Sequence, residues 1–83
     1  MSGHNTEVVF ENETYHVQTQ DKGPGATYVE TIIYKGGRVL SSRRAFYTSL
    51  LHSSDLANKI ENLVKMEHET TITEIEAGKF AHL

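Results

Sequence analysis

Apolar and polar residues alternate along the first fifty positions of this chain and then change period. Tyr15-His16-Val17-Gln18-Thr19-Gln20 steps in twos, as a strand with one buried face does. Leu56, Ile60, Leu63 and Val64 instead recur at helical spacing. The economical reading is four short strands followed by one long helix.

Strand registers follow from asking which side chains share a face, because directly opposed residues in an antiparallel pair do so. Gly36-Gly37 is the strongest hairpin turn, since both positions tolerate positive φ. It sets Lys35 against Arg38, Tyr34 against Val39, Ile33 against Leu40 and Glu30 against Arg43. Ile33, Leu40, Thr31, Ser42 and Val29 then share one face, and the Glu30–Arg43 pair lies on the other. A turn at Asn12-Glu13 sets Phe10 against Tyr15, Val8 against Val17 and Thr6 against Thr19. Across the Asp21–Thr27 loop, broken by Gly23-Pro24-Gly25, Thr19 meets Val29, Val17 meets Thr31 and Tyr15 meets Ile33. All three registers gather one apolar set on one face. The predicted fold is α+β: a four-stranded antiparallel meander, order 1-2-3-4, covered on one face by a C-terminal helix (ββββα).

Phe46, Tyr47, Leu50 and Leu51 are expected to plug one end of the core. Ser54 is the expected N-cap, with Asp55 at the positive end of the helix dipole. The helix is expected from Asp55 to about Ala77. Thr70-Thr71-Ile72-Thr73 is β-branched and offers a fifth strand as the alternative. Ile72 and Ile75 continue the helical stripe, and Gly78 suits a left-handed residue just past the end. Residues 1–5 read as a disordered lead-in and residues 6–83 as the single domain.

Composition narrows the function. The chain has 83 residues, 37% hydrophobic and 23% charged, and no Cys. Disulfides and thiolate metal sites are therefore excluded. No segment approaches the roughly 20 apolar residues that span a bilayer. Met1-Ser2-Gly3-His4-Asn5 has neither the basic flank nor the apolar run of a signal peptide. The expectation is a cytoplasmic protein without membrane contact.

Charge is unevenly spread. Residues 1–27 sum to −3, residues 28–53 to +3 and residues 54–83 to −3, and all three Arg fall between Arg38 and Arg44. The plain reading is a solvated hairpin balanced by acidic neighbours.

Chemical motifs are sparse. His4, His16, His52, His68 and His82 include no pair at i, i+3 or i+4, so no local chelate exists. His68 lies on the helix stripe, where a hydrogen-bonded structural histidine is expected. His52-Ser53-Ser54-Asp55 has the residue types of a hydrolytic triad, but adjacency is not triad geometry, and capping accounts for it. Gly23-Pro24-Gly25 lacks the helix and Lys of a phosphate loop. No catalytic residue, metal or cofactor is expected, and the chain is read as a non-enzyme.

Two surfaces point to a partner. A helix over residues 55–77 is about 34 Å long, whereas strands of about seven residues reach about 23 Å. The overshoot leaves Ile72, Ile75 and Phe80 for a second copy or another protein, unless the helix crosses diagonally and Phe80 folds back. The outer sheet face is the second surface. It is expected to carry Val9, His16, Gln18, Gln20, Tyr28, Glu30, Ile32, Tyr34, Val39, Ser41 and Arg43. Tyr and Arg are enriched at contact hot spots. A homodimer or protein partner is therefore expected, with Ile72, Ile75, Phe80, Tyr28, Ile32, Tyr34 and Arg43 as contact residues. The alternative is single-stranded nucleic acid on Tyr28, Tyr34, Arg38 and Arg43, with aromatics stacking bases and Arg holding phosphates. The acidic balance and Glu30 weigh against it.

Tyr15-His16-Val17-Gln18-Thr19-Gln20-Asp21 resembles a family of small bacterial domains. So do Tyr28-Val29-Glu30, Gly36-Gly37, Ser41-Ser42-Arg43-Arg44 with Tyr47, and Gly78-Lys79-Phe80. The likeness spans residues 6–83. It implies a small accessory or regulatory module and assigns no residue a role.

Overall fold

A computed structural model describes residues 3–83. Strands β1 (Gly3–Phe10), β2 (Glu13–Asp21), β3 (Tyr28–Lys35) and β4 (Arg38–Phe46) form one antiparallel sheet in the order 1-2-3-4. A single 3-10 turn (Thr48–Leu50) leads into helix α1 (Leu56–Glu76), which packs on one face. Residues 70–76 are helical. β1 begins at Gly3, with His4 opposite Thr19 and Asn5 opposite Gln18. The expected lead-in is therefore strand from residue 3 onward, and residues 1 and 2 lie outside the described residues.

Face assignment holds in the first three strands, although two registers slip. The first turn is Glu11-Asn12, both left-handed (φ 50° and 67°), and pairs Val8 with Tyr15 and Thr6 with Val17. Across the loop, Val17 pairs with Ile33 and Thr19 with Thr31. Each pairing differs from expectation by two residues. A two-residue slip conserves the side on which every side chain stands. Gly36 and Gly37 make the last turn at φ 59° and 77°, the paired positive angles of a tight hairpin.

In β4 the expectation fails. Tyr34 pairs with Val39, but Ile33 pairs with Ser41, leaving Leu40 as the extra residue of a bulge. A one-residue insertion reverses the faces beyond it. Thr31 consequently pairs with Arg43 and Glu30 with Arg44. Arg43 and Ala45 turn toward α1, while Arg44 and Phe46 turn outward. Tyr47, not Phe46, enters the core.

The core has two clusters. Val8, Tyr15, Val17, Ile33 and Ile75 form one, with Phe10, Leu40, Ile72 and Phe80 against it. Val29, Tyr47 and Val64 form the other, with Leu50, Leu51, Ile60 and Leu63. Between them lies a polar centre. His68 is buried, its Nε2 hydrogen-bonded to Thr6 Oγ1 and its Nδ1 to Thr19 Oγ1, both at 2.8 Å, and Thr19 donates to Thr31. Every buried polar group of this centre thus has a partner, which removes most of its desolvation cost.

Asp55, not Ser54, is the N-cap. It is left-handed (φ 60°) and makes no side-chain bond to the helix backbone. Its carboxylate instead accepts from Asn58 Nδ2 at 3.0 Å. The C-terminus follows expectation. Gly78 (φ 78°) donates to the Ile75 carbonyl and Lys79 to that of Glu74, the two bonds of a Schellman motif. A Cβ at Gly78 would also lie 3.4 Å from the Phe10 ring.

Candidate interaction surface and candidate groove

Two strands of eight residues and two of nine reach about 27–30 Å, close to the roughly 32 Å of a 21-residue helix. The helix therefore does not overshoot. Ile75 is 1% exposed, and Ile72 and Phe80 are half-buried against its cluster. This chain covers its own helix end, so the expected contact set of Ile72, Ile75 and Phe80 is corrected to core and core margin.

Arg43 also leaves the outer face. Its guanidinium donates to Thr71 Oγ1 at 2.6 Å and lies 2.7 Å from the buried Glu74 Oε1. The bulge made this pairing possible, and it replaces the expected Glu30–Arg43 pair. Ser41, opposite Ile33, shares that covered side.

Tyr28, Ile32 and Tyr34 remain on the open face, half-buried, together with Val9, His16, Gln18, Gln20 and Val39. The bulge adds Arg44 and Phe46. Phe46 is 63% exposed and its ring lies 5.1 Å from that of Tyr28, while the Arg44 guanidinium carbon sits 4.6 Å from the Tyr28 ring centroid. Arg44 Nε also donates to Glu30, which Lys22 approaches at 3.6 Å. At the opposite end His16 and Tyr34 rings are 6.2 Å apart, beside exposed Val39. Aromatic and aliphatic groups thus stand at both ends of the face around a compact ionic row.

A second feature joins residues far apart in sequence. Asp21, Pro24, Tyr47, Leu56, Ala57, Ile60 and Glu61 line a groove of about 450 Å³ between the β2–β3 loop and the first turns of α1. The loop is fixed by Tyr47 N–H on the Thr27 carbonyl (2.8 Å) and Thr27 Oγ1 against Thr48 Oγ1 (2.8 Å). Asp21 Oδ1 accepts from Tyr47 Oη (2.6 Å) and from Gly23 N–H (2.9 Å). Burial, then the hydrogen bond to Asp21 and its charge, push the Tyr47 phenol up to about 12. Sequence reasoning missed this groove because its walls come from three separated segments.

Among the described residues no cluster of three or more His, Asp or Glu could hold a metal, and no helix is long and apolar enough to cross a membrane. No family model matches the chain, no curated protein matches it, and no solved structure does.

Proposed function

We propose that this chain is a non-enzymatic interaction module that self-associates through the open face of its sheet. The observation that carries this reading is the asymmetry of the sheet. One side is covered by α1 across β1 to β3, while the other leaves Phe46, Val39 and Val9 more than half exposed. Glu7 and Glu30 offset Lys22 and Arg44 on the open side, so the face is near neutral. A near-neutral face with apolar groups at both ends suits an identical face turned over it.

A two-fold axis across the strands would lay Phe46 of one copy on Val39 of the other and Tyr28 on Tyr34, with Ile32 near the axis. Such isologous pairing is the commonest form of self-association. Four strands at about 4.8 Å spacing and this length present roughly 500 Å² in projection. That is below the roughly 800 Å² per partner of a standard stable interface, so the expected dimer is weak and concentration-dependent.

Sedimentation velocity between micromolar and millimolar protein tests this reading. Mass should rise toward twice 9.3 kDa, and Phe46→Glu should hold the chain monomeric throughout. Constant monomeric mass for the unaltered chain contradicts it.

A second reading, single-stranded nucleic acid on the same face, draws on Arg44 over the Tyr28 ring and on the neighbouring, tilted ring of Phe46. Commitment of Arg43 to Glu74 and of Arg44 to Glu30 weakens it. Titration of labelled RNA and DNA oligomers at two salt concentrations decides, since phosphate contacts weaken steeply with salt.

A further inference from the structure

The groove at the start of α1 has the size and lining of a small-ligand site, and its chemistry selects one class of ligand. Its volume of about 450 Å³ falls within the roughly 300–1,000 Å³ usual for such sites, which are mostly apolar with a few placed polar groups. Pro24, Leu56, Ala57 and Ile60 supply the apolar walls, and Asp21 and Glu61 supply carboxylates.

Asp21 is placed rather than merely present. Two donors, the Tyr47 hydroxyl and the Gly23 N–H, both bind Oδ1. Among the described residues no hydrogen bond is seen at Oδ2, which is left for a donor from the groove. The loop's one cation, Lys22, is turned to Glu30 and Gln20 on the opposite face, so it does not neutralise Asp21. The helix lines the groove with the flank of its first two turns, and Asp55 stands at its positive end. The full charge of the Asp21 carboxylate outweighs the half charge of a helix terminus.

We propose that this groove binds a small organic cation, with its apolar body on Pro24, Leu56, Ala57 and Ile60 and its protonated nitrogen on Asp21 Oδ2. An anion of the same shape meets the Asp21 carboxylate and is rejected. A neutral isostere keeps the apolar contacts but loses the charge-assisted hydrogen bond, which is about twice as strong as a neutral one.

Titration of the full chain with phenethylammonium, followed by amide chemical shifts, tests the proposal. Saturable shifts should be confined to residues 21–27, 47–50 and 56–61. Phenethyl alcohol and the Asp21→Asn variant should each bind about tenfold more weakly or worse, about 1.4 kcal/mol. Because Asp21→Asn also disturbs Tyr47, Ala57→Phe provides a second arm. It fills the groove from an exposed helix position and should abolish the shifts without lowering the denaturation midpoint. Equal affinity for the alcohol, shifts that do not saturate at millimolar probe, or unchanged binding by Ala57→Phe would each overturn the proposal. None of these outcomes bears on self-association, which involves the other face.

Discussion

Ile32 and Ile33 are neighbours in β3 and stand on opposite sides of the same sheet. Ile33 is 0% exposed in a cluster with Val8, Tyr15, Val17 and Ile75. Ile32 is flanked by Gln18 and Ser42 on a side that no element among the described residues covers. A single helix can roof only one side of a sheet, so an 83-residue chain must either make its second side polar or use it. Here the second side is neither plainly polar nor covered. The covered side spends its polar groups internally, on His68, Thr19, Thr31 and Thr71. The open side leaves its aromatic groups at the surface.

Substitution at these two isoleucines should separate the faces most strongly. Ile33→Ala is expected to cost about 2–5 kcal/mol through lost burial and a residual cavity. Ile32→Ala should cost less than about 1 kcal/mol in dilute, monomeric protein. Urea denaturation of both variants checks this, and comparable losses would mean that the open face is packed in the monomer.

The two adjacent arginines give the same contrast in polar form. Arg43→Met removes the contacts to Thr71 and Glu74 and leaves the Glu74 carboxylate without its close guanidinium. About 1–2 kcal/mol of destabilisation is expected, in line with hydrogen bonds to charged groups. Arg44, 54% exposed in its pair with Glu30, should cost no more than about 0.5 kcal/mol on the same substitution.

Acid should act through the covered side. Burial, then the charge of His4 and more weakly of His16, lowers the His68 pKa below 6.5, partly opposed by Glu69. The unfolded imidazole therefore takes up a proton before the folded one does. Stability from this site is complete above about pH 6.5 and falls as pH drops toward the folded pKa, by at most about 1.4 kcal/mol per pH unit. Denaturation midpoints between pH 7.5 and 5 should show that decline, and His68→Gln should flatten it. The smallest stability effect is expected for Phe46→Glu, within about 0.5 kcal/mol for a surface site, although it should abolish self-association.

Much of this fold was legible from periodicity. The four strands, their order, the faces of β1 to β3, the helix through residues 70–76 and the Gly78 terminus all follow from residue spacing. The registers slipped without harm because a shift of two preserves sides. The bulge at Leu40 carried no Gly or Pro to announce it, and it alone misassigned Arg43, Ser41 and Phe46, while Tyr47 entered the core as expected. One hint existed: regular pairing would have turned Arg44 inward, whereas the bulge sets small Ala45 opposite buried Val29. The expected helix-end interface failed for a metric reason. Strands of eight and nine residues match the helix, so Ile72, Ile75 and Phe80 found cover within the chain. The groove could not be read at all, since Asp21, Tyr47 and Ile60 meet only after folding.

The most direct test of the open-face account is an isotope-filtered NMR experiment on a millimolar mixture of labelled and unlabelled chains. Intermolecular contacts should arise from Ile32, Tyr34, Val39 and Phe46. Contacts arising instead from Ile72 and Phe80, or none at that concentration, would contradict it.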